Sequence, residues 1–492
     1  MSDDTTKPNI ILIIADTLRA DILSCYGGEA DTPTIDRLAE DGTIFEQAYA
    51  AGPWTPVSHA AMFSGQYPSE TGVVDQTNVP EDIPLIATWL SEHGYDTFGI
   101  PGPSKMGAAY GFDRGFDEYF EVYTDDRPSH RSKEFYRKCL RDPTIGGPLI
   151  KNLVRRFRYG GDSHTYLKFK YLSSKIRREL ERPFFGMLNT TLVHRPYDPP
   201  RPYKERAVPE LQRSKWFLTE RLLGLEETLE LSDARVDHVL NAQGREGVAR
   251  FLADPDYLTD AEFDVLKKWY VAGMEYLDTQ VEQLLSSLER SGELENTIVI
   301  FTSDHGEHFG EKDQIDHLPY RLFEEVLRVP LVMNGPGIPS DRRRDLVSLV
   351  DIFDTLCDVS SIPAPEETSG RSVFGGESRD TVFSEYGVNT IEGDGWKQGT
   401  IEYMSEEQID DFVQGRKCVR TETHLYVYAS DGTETLYERP DETEVEDPDE
   451  ELLSTLRDAL FQELGHDFQS VADETELTDD IKANLRELGY LN

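Results

Sequence analysis

Two uninterrupted apolar runs frame the chain. Residues 9–15 read Asn-Ile-Ile-Leu-Ile-Ile-Ala, and residues 297–302 read Thr-Ile-Val-Ile-Phe-Thr. Both have the length and β-branched content of a strand, and neither alternates with polar residues. Both are therefore expected to be buried on two faces in the middle of a sheet. Helix and strand signals alternate around them. Residues 32–42 predict a short helix with Pro33 near its start and Gly42 past its end. A Gly-Pro turn at 52–53 leads into a helix beginning near Pro56, and 84–90 is helical. Residues 95–100 and 183–189 predict strands, 269–288 an amphipathic helix, and 328–333 a further strand. Alternation of this kind predicts an α/β domain whose mostly parallel sheet is covered on both faces. After residue 375 the pattern changes to short strand signals at 381–386, 417–420 and 425–429, separated by turns and acidic stretches. The expected organisation is a catalytic domain over 1–375 and a small C-terminal α+β subdomain over 376–492, joined through 360–370.

Charge narrows the range of partners. The 492 residues hold 93 acidic and 50 basic side chains, a formal net charge of −43. That excess disfavours nucleic acid or an anionic membrane as the main partner, because phosphates would be repelled. It fits a solvating acidic surface of the kind halophilic proteins use. Residues 127–182 break the pattern with 16 Lys/Arg against 5 Asp/Glu. They are either surface helices paired with acidic neighbours or, through Arg155, Arg156 and Arg158, a collar that attracts an anionic substrate. The cysteines, Cys25, Cys139, Cys357 and Cys418, are scattered without a C-x-x-C pair, which argues against a disulfide framework or zinc ribbon. The N-terminus is polar, and no apolar run reaches the roughly 18 residues of a membrane span. The expectation is a soluble cytoplasmic protein without a signal peptide.

Each framing run ends on chemistry: Asp16-Thr17-Leu18-Arg19 after the first, Ser303-Asp304-His305-Gly306 after the second. Ligands of open α/β sheets bind beyond the carboxyl ends of strands. Two carboxylates and an imidazole are sound ligands for a divalent cation, and the oxygen of Thr55 beside them would complete a shell. Such a cation lowers a hydroxyl pKa and neutralises a tetrahedral anion under attack. Residue chemistry alone thus points to transfer of a phosphoryl or sulfuryl group. The structural alternatives are a strand-end turn for Asp304-His305-Gly306 and a plain helix N-cap for Thr55.

The order of these pieces resembles the sulfatase family of the alkaline phosphatase superfamily. The matching segments are 8–16, 32–39, 64–68, 194–200, 303–310, 328–332 and the terminal 485–491. The resemblance implies a large mixed sheet flanked by helices, with a smaller C-terminal antiparallel-sheet domain. It also implies that Asp16, Asp304 and His305 ligate metal and that Thr55 stands at the nucleophile position. His194 matches a substrate-side histidine, and His317 falls near a basic group that contacts the ester or assists the leaving group. Arg19 and His59 occupy positions near the metal and nucleophile. Glu307, His308 and Glu311 read as surface or supporting residues.

Three departures from the family bear on the chemistry. The family's Cys/Ser-x-Pro-x-Arg motif, whose first residue is oxidised to formylglycine, is here Thr55-Pro-Val-Ser-His59. A secondary alcohol cannot give that aldehyde, and a direct Thr nucleophile is typical of the superfamily's phosphodiesterases and phosphoglycerol transferases. Thr17 and His305 replace ligands common in sulfatases. One divalent cation is implied, with Mn²⁺, Zn²⁺ and Ca²⁺ as candidates and the softer set favouring Mn²⁺ or Zn²⁺. Thr190 stands where two-metal relatives carry Asp, which favours one metal over two. The reading is a metal-dependent hydrolase of sulfate or phosphate esters, acting through Thr55 on an anionic small-molecule or glycan ester. The alternatives are a phosphodiesterase or phosphoglycerol-type transferase, and a non-catalytic binder of anionic glycans.

Overall fold

The computed structural model describes residues 7–74, 78–122, 130–141, 164–178, 180–209, 245–318, 321–376, 378–388, 399 and 401–469. Its main sheet contains β1 (Asn9–Ala15), β2 (Thr43–Tyr49), β3 (Asp96–Ile100), β4 (Glu118–Tyr119), β5 (Phe184–Thr190) and β6 (Thr297–Thr302). A two-stranded hairpin, β7 (His308–Phe309) and β8 (Ile315–Asp316), precedes the last two strands, β9 (Arg328–Asn334) and β10 (Asp341–Ser348). The spatial order is β10-β2-β9-β6-β1-β5-β3-β4. Strand β9 runs antiparallel to both neighbours, while every other pair is parallel. The mostly parallel expectation is thus met except at β9, because a buried apolar strand reads the same in either direction.

The register explains where chemistry can gather. On β1, Ala15 lies opposite Thr190 of β5, and Ile14 opposite Thr302 of β6. Parallel pairing therefore brings three strand ends, and the loops leaving them, to one edge of the sheet.

The principal helices are α1 (Pro33–Asp41), α2 (Thr55–Ser64), α3 (His164–Arg178), α4 (Asp260–Ser291), α5 (Asp351–Val359) and α6 (Glu450–Leu464). Strand β1 is wholly buried, and its side chains alternate between two cores. Ile11 and Ile13 pack into the cluster holding Leu172 of α3 and Met274 and Val281 of α4. Ile10, Leu12 and Ile14 pack into the opposite one, with Ala60 and Met62 of α2 and Phe353 of α5. Each such side chain contributes about 1.5–3 kcal/mol relative to exposure. Helix α2 is buried at all ten positions, so it lacks a polar face.

Helix α4 starts at Asp260, well before the expected 269. Thr259 and Glu262 form a capping box that fixes this start, and Gly292, with φ 75°, closes the other end. From α4, Asp278 accepts hydrogen bonds from the Thr34 and Ile35 amides at 3.0 and 2.9 Å, capping α1 from outside.

A second sheet of β11 (Val382–Tyr386), β12 (Arg416–Arg420), β13 (His424–Ala429), β14 (Glu434–Glu438) and β15 (Thr443–Glu444) is antiparallel throughout. Leu453, Leu456 and Leu460 of α6 cover it, sharing a cluster with Ala61 and Tyr67 of the larger part. The expected 360–370 connection is packed down: the Ser369 and Gly370 amides donate to the Gly65 carbonyl. Arg155, Arg156 and Arg158 of the basic stretch, and the ending 485–491, lie outside the described residues. Lys138 and Lys175 of the same stretch both pair with Glu118, at 2.9 and 2.7 Å. The four cysteines are free thiols. No helix among the described residues is long and apolar enough to cross a membrane.

Candidate active site

The ends of β1 and β6 are tied together by residues of ordinary appearance. Ser303 Oγ lies 2.6 Å from both the Ala15 and the His305 carbonyl oxygens, which share its one proton, and it accepts from the Leu18 amide at 2.8 Å. Thr17 sits in the left-handed region, φ 65°, a conformation that costs a non-glycine residue about 1–3 kcal/mol. Three contacts hold it there. Its amide donates to Asp304 Oδ1 at 3.2 Å, its hydroxyl to the Val193 carbonyl at 2.8 Å, and its carbonyl accepts from Tyr270 of α4 at 2.7 Å. The loops after β1, β5 and β6 are thereby locked to one another. Gly306 lets the β6 loop pass close to 325–326: a Cβ there would lie 2.1 Å from the Glu325 carbonyl.

This frame brings Asp16, Asp304 and His305 together, all fully buried, with one ligand-type atom from each inside 4.8 Å of the others. Both Asp16 oxygens and Asp304 Oδ2 have no hydrogen-bond partner among the described residues. Burial and the adjacent Asp304 push Asp16 well above the usual carboxylate range. At Asp304 burial acts the same way, but His305, His59 and the Thr17 amide outweigh it and hold this carboxyl low. His305 Nδ1 lies 3.0 Å from the Gly306 carbonyl, which can only accept. The ring proton is therefore on Nδ1, and Nε2 presents a lone pair. Burial pushes the imidazole down to about 3, keeping it neutral. Unpartnered buried carboxylate oxygens beside a bare imidazole nitrogen fit a divalent cation, since such groups otherwise cost free energy with nothing in return.

Thr55 enters from α2. Trp54, not Thr55, is the N-cap, so the capping reading of Thr55 is corrected. As the first helical residue, Thr55 places Oγ1 3.3 Å from His305 Nε2. His59, one turn on, donates from Nδ1 to the Thr55 carbonyl at 2.8 Å and accepts at Nε2 from Asn189 at 3.1 Å. Both ring nitrogens are used, and burial favours the neutral form. Ser58 Oγ donates to the Asp304 carbonyl at 2.6 Å. His59 and Ser58 thus pin the start of α2 to β5 and β6.

His317 reaches the same cluster from β8. Its ring lies 4.6 Å from that of His305, 5.1 Å from His194 and 5.4 Å from Trp54. His317 Nδ1 lies 2.7 Å from Asp316 Oδ1 and 3.3 Å from Glu307 Oε1. Burial opposes the charge, but these carboxylates hold His317 well above the usual imidazole range. His194 donates from Nδ1 to the Arg195 carbonyl, and burial beside His317 pushes it down to about 4. Glu307 is fully buried, which removes the surface half of its reading and leaves the supporting one. Burial and neighbouring Asp316 push it up to about 7. Glu307, Asp316 and His317 also have the donor types of a metal site. Here, however, Asp316 is already engaged, by the Arg195 guanidinium and by His317 Nδ1, while Glu307 Oε2 has no hydrogen-bond partner among the described residues.

The structure does not bring the Arg19 guanidinium to Thr55. It is engaged by Asp21 at 2.7 Å, Glu311 at 2.6 Å and the Glu307 carbonyl at 3.2 Å. His308 is buried in β7 and pushed down to about 3 by that burial. Asp316 was expected as a bonding partner of His317, but Ser303, Tyr270, Asn189 and Arg195 had no role assigned from the sequence: Ser303 and Arg195 lie inside the matching segments 303–310 and 194–200 without standing out there, and Tyr270 and Asn189 lie outside them.

The comparisons agree with this architecture. Residues 8–362 match the family model for sulfatases. The choline-sulfatase of Rhizobium meliloti strain 1021 is 27% identical over 415 residues, covering 78% of this chain and 74% of the relative. An N-acetylglucosamine-6-O-sulfatase from Bacteroides thetaiotaomicron is 25% identical over 406 residues, covering 75% and 71%. In fold, the phosphonate monoester hydrolase of Silicibacter pomeroyi superposes with a TM-score of 0.65 at 18% identity, covering 93% of this chain and 94% of that one. The match spans nearly three quarters of the sequence and includes both strand ends that build the site; the chain belongs to the sulfatase family.

Proposed function

We propose that the protein hydrolyses an ester of sulfate or of a phosphorus oxyacid through a covalent intermediate on Thr55. The observation that carries this reading is that Thr55 Oγ1 lies 3.3 Å from Nε2 of His305, which is grouped with Asp16 and Asp304, and that both Asp16 oxygens and Asp304 Oδ2 have no hydrogen-bond partner among the described residues. Asp16, Asp304 and His305 would hold one divalent cation, with Thr55 completing its shell. When bound, that cation supplies the positive charge that keeps the Thr55 oxygen deprotonated and neutralises the anionic ester oxygens. The buried start of α2 fixes Thr55 for in-line attack, and orientation of this kind is worth several kcal/mol of barrier. His317 Nε2–H protonates the departing alcohol oxygen as its bond to sulfur or phosphorus breaks. Water then attacks the Thr55 ester, giving its proton to His317 Nε2 and restoring the Thr55 alkoxide.

Thr55 also favours one branch of this chemistry. A formylglycine hydrate expels sulfate through its spare hydroxyl, and a threonine has none, so phosphate or phosphonate esters suit this nucleophile at least as well as sulfate. Turnover of matched nitrophenyl sulfate, phosphate and phosphonate esters by wild type and Thr55→Ala tests the reading. Loss of activity in Thr55→Ala on the preferred ester is expected; undiminished turnover removes Thr55 as nucleophile.

A further inference from the structure

The hairpin β7–β8 carries more machinery than the reaction above uses. Asp316 sits at φ 67°, the left-handed region. Its Oδ1 accepts from the His317 amide at 2.9 Å as well as facing Nδ1 at 2.7 Å, and its Oδ2 takes the Arg195 guanidinium. Glu307 approaches Nδ1 from the loop before β7. Its backbone is held at both ends: the amide donates to the Glu325 carbonyl at 3.0 Å, and its carbonyl accepts from Arg19 at 3.2 Å. Arg19 thereby acquires a place in the site as the anchor of residue 307.

We propose that Glu307 and Asp316 are positioning residues, a two-carboxylate clamp that holds the His317 imidazole by its Nδ1 proton and presents Nε2 to the departing ester oxygen. The inference rests on the ester-hydrolase reading above and assigns the groups that make His317 its acid. Asp316, beside the Arg195 guanidinium, stays ionised and can only accept, so the proton facing it belongs to Nδ1 in both halves of the reaction. The neighbouring rings of His305, His194 and Trp54 limit rotation about the remaining axis. In the first half, Nε2–H passes to the alcohol oxygen as that oxygen leaves, and the imidazole becomes neutral with its proton on Nδ1. In the second half, water gives one proton to Nε2 and its hydroxyl to sulfur or phosphorus, and the imidazolium is restored. No proton leaves the clamp.

A proton donor matters most when the leaving alkoxide is poor, so the test compares two esters within each variant. The preferred anion is presented as its 4-nitrophenyl and its simple alkyl ester to wild type, His317→Ala, Glu307→Ala and Asp316→Asn. Asparagine tolerates positive φ, so Asp316→Asn keeps the hairpin backbone even where Glu307→Ala does not fold. In each clamp variant, kcat/KM for the alkyl ester is expected to fall about 10- to 100-fold further than for the nitrophenyl ester. Added to His317→Ala, either substitution should leave that ratio where it stands. Equal losses on both esters, or further discrimination on the His317→Ala background, would overturn the clamp as merely structural. Wild type inert on every ester would instead overturn the hydrolase reading. The clamp is then decided by nitrogen NMR of His317: an Nδ1-bound proton that exchanges faster in Asp316→Asn supports it, and a bare Nδ1 rejects it.

Discussion

Asp16→Asn should stabilise the cation-free protein while removing its activity. Ligand atoms of Asp16 and Asp304 lie within 4.8 Å of each other, both fully buried, and neither Asp16 oxygen has a partner among the described residues. Two unit charges at that separation repel by about 3.5 kcal/mol at an effective dielectric constant of about 20. His317 and Lys168 offset part of this, and partial protonation of Asp16 another part. A net gain of about 1–3 kcal/mol on replacing the carboxylate by an amide is what remains. A divalent cation should reverse the order: at about 100 times its Kd it stabilises a protein that binds it by about 2.7 kcal/mol. Wild type should gain most of that, and Asp16→Asn little. The assay is urea unfolding of both proteins in chelator and in Mn²⁺. If Asp16→Asn were less stable than wild type in chelator, or if Mn²⁺ shifted both equally, the site would not be a cation cradle held open at a cost in stability.

Three further outcomes follow from particular contacts. Ser303→Ala leaves the Leu18 amide only its 3.1 Å bond to the Ala15 carbonyl and removes the side-chain tie between the loops after β1 and β6, so unfolding free energy should drop by about 1–3 kcal/mol and kcat about 10- to 100-fold; unchanged values in urea unfolding and turnover would discount the strut. Burial raises the Asp278 carboxyl above its unfolded value, so this group's contribution to stability falls as pH rises through the window between the two; Asp278→Asn, which keeps an acceptor for the α1 amides, should flatten that part of the stability–pH curve. With a net charge of −43, the fold should be markedly more resistant to urea in molar KCl, where the screening length is about 3 Å, than in dilute buffer; equal resistance would remove the salt-adapted reading of the surface.

The parts of this molecule that were legible are those whose residue types must be where they are. Runs such as 9–15 can be little other than strands buried on both faces, and Asp16, Asp304 and His305 were findable because they follow such runs directly. The helix after Gly52-Pro53 was legible from Pro56, but Trp54 rather than Thr55 proved to be its cap, because residue 54 keeps extended angles and Thr55 already helical ones. The reversed direction of β9 was hidden, since direction is set by where the chain returns and not by strand composition. Glu307 stayed open between a surface and a supporting role, because burial of a charge depends on partners remote in sequence, here the Arg195–Asp316 pair and the ring of His317. Ser303, Asn189 and Tyr270 escaped for a related reason: a serine, an asparagine and a tyrosine become site residues only through the loops they tie.

In this mechanism Thr55 carries the transferred group. Rapid-quench mass spectrometry of wild type during turnover of its preferred nitrophenyl ester should find a sulfo or phosphoryl group on Thr55, building up in a burst and absent from Thr55→Ala. The same group on Ser58, or steady turnover with no modified peptide at any quench time, would contradict it.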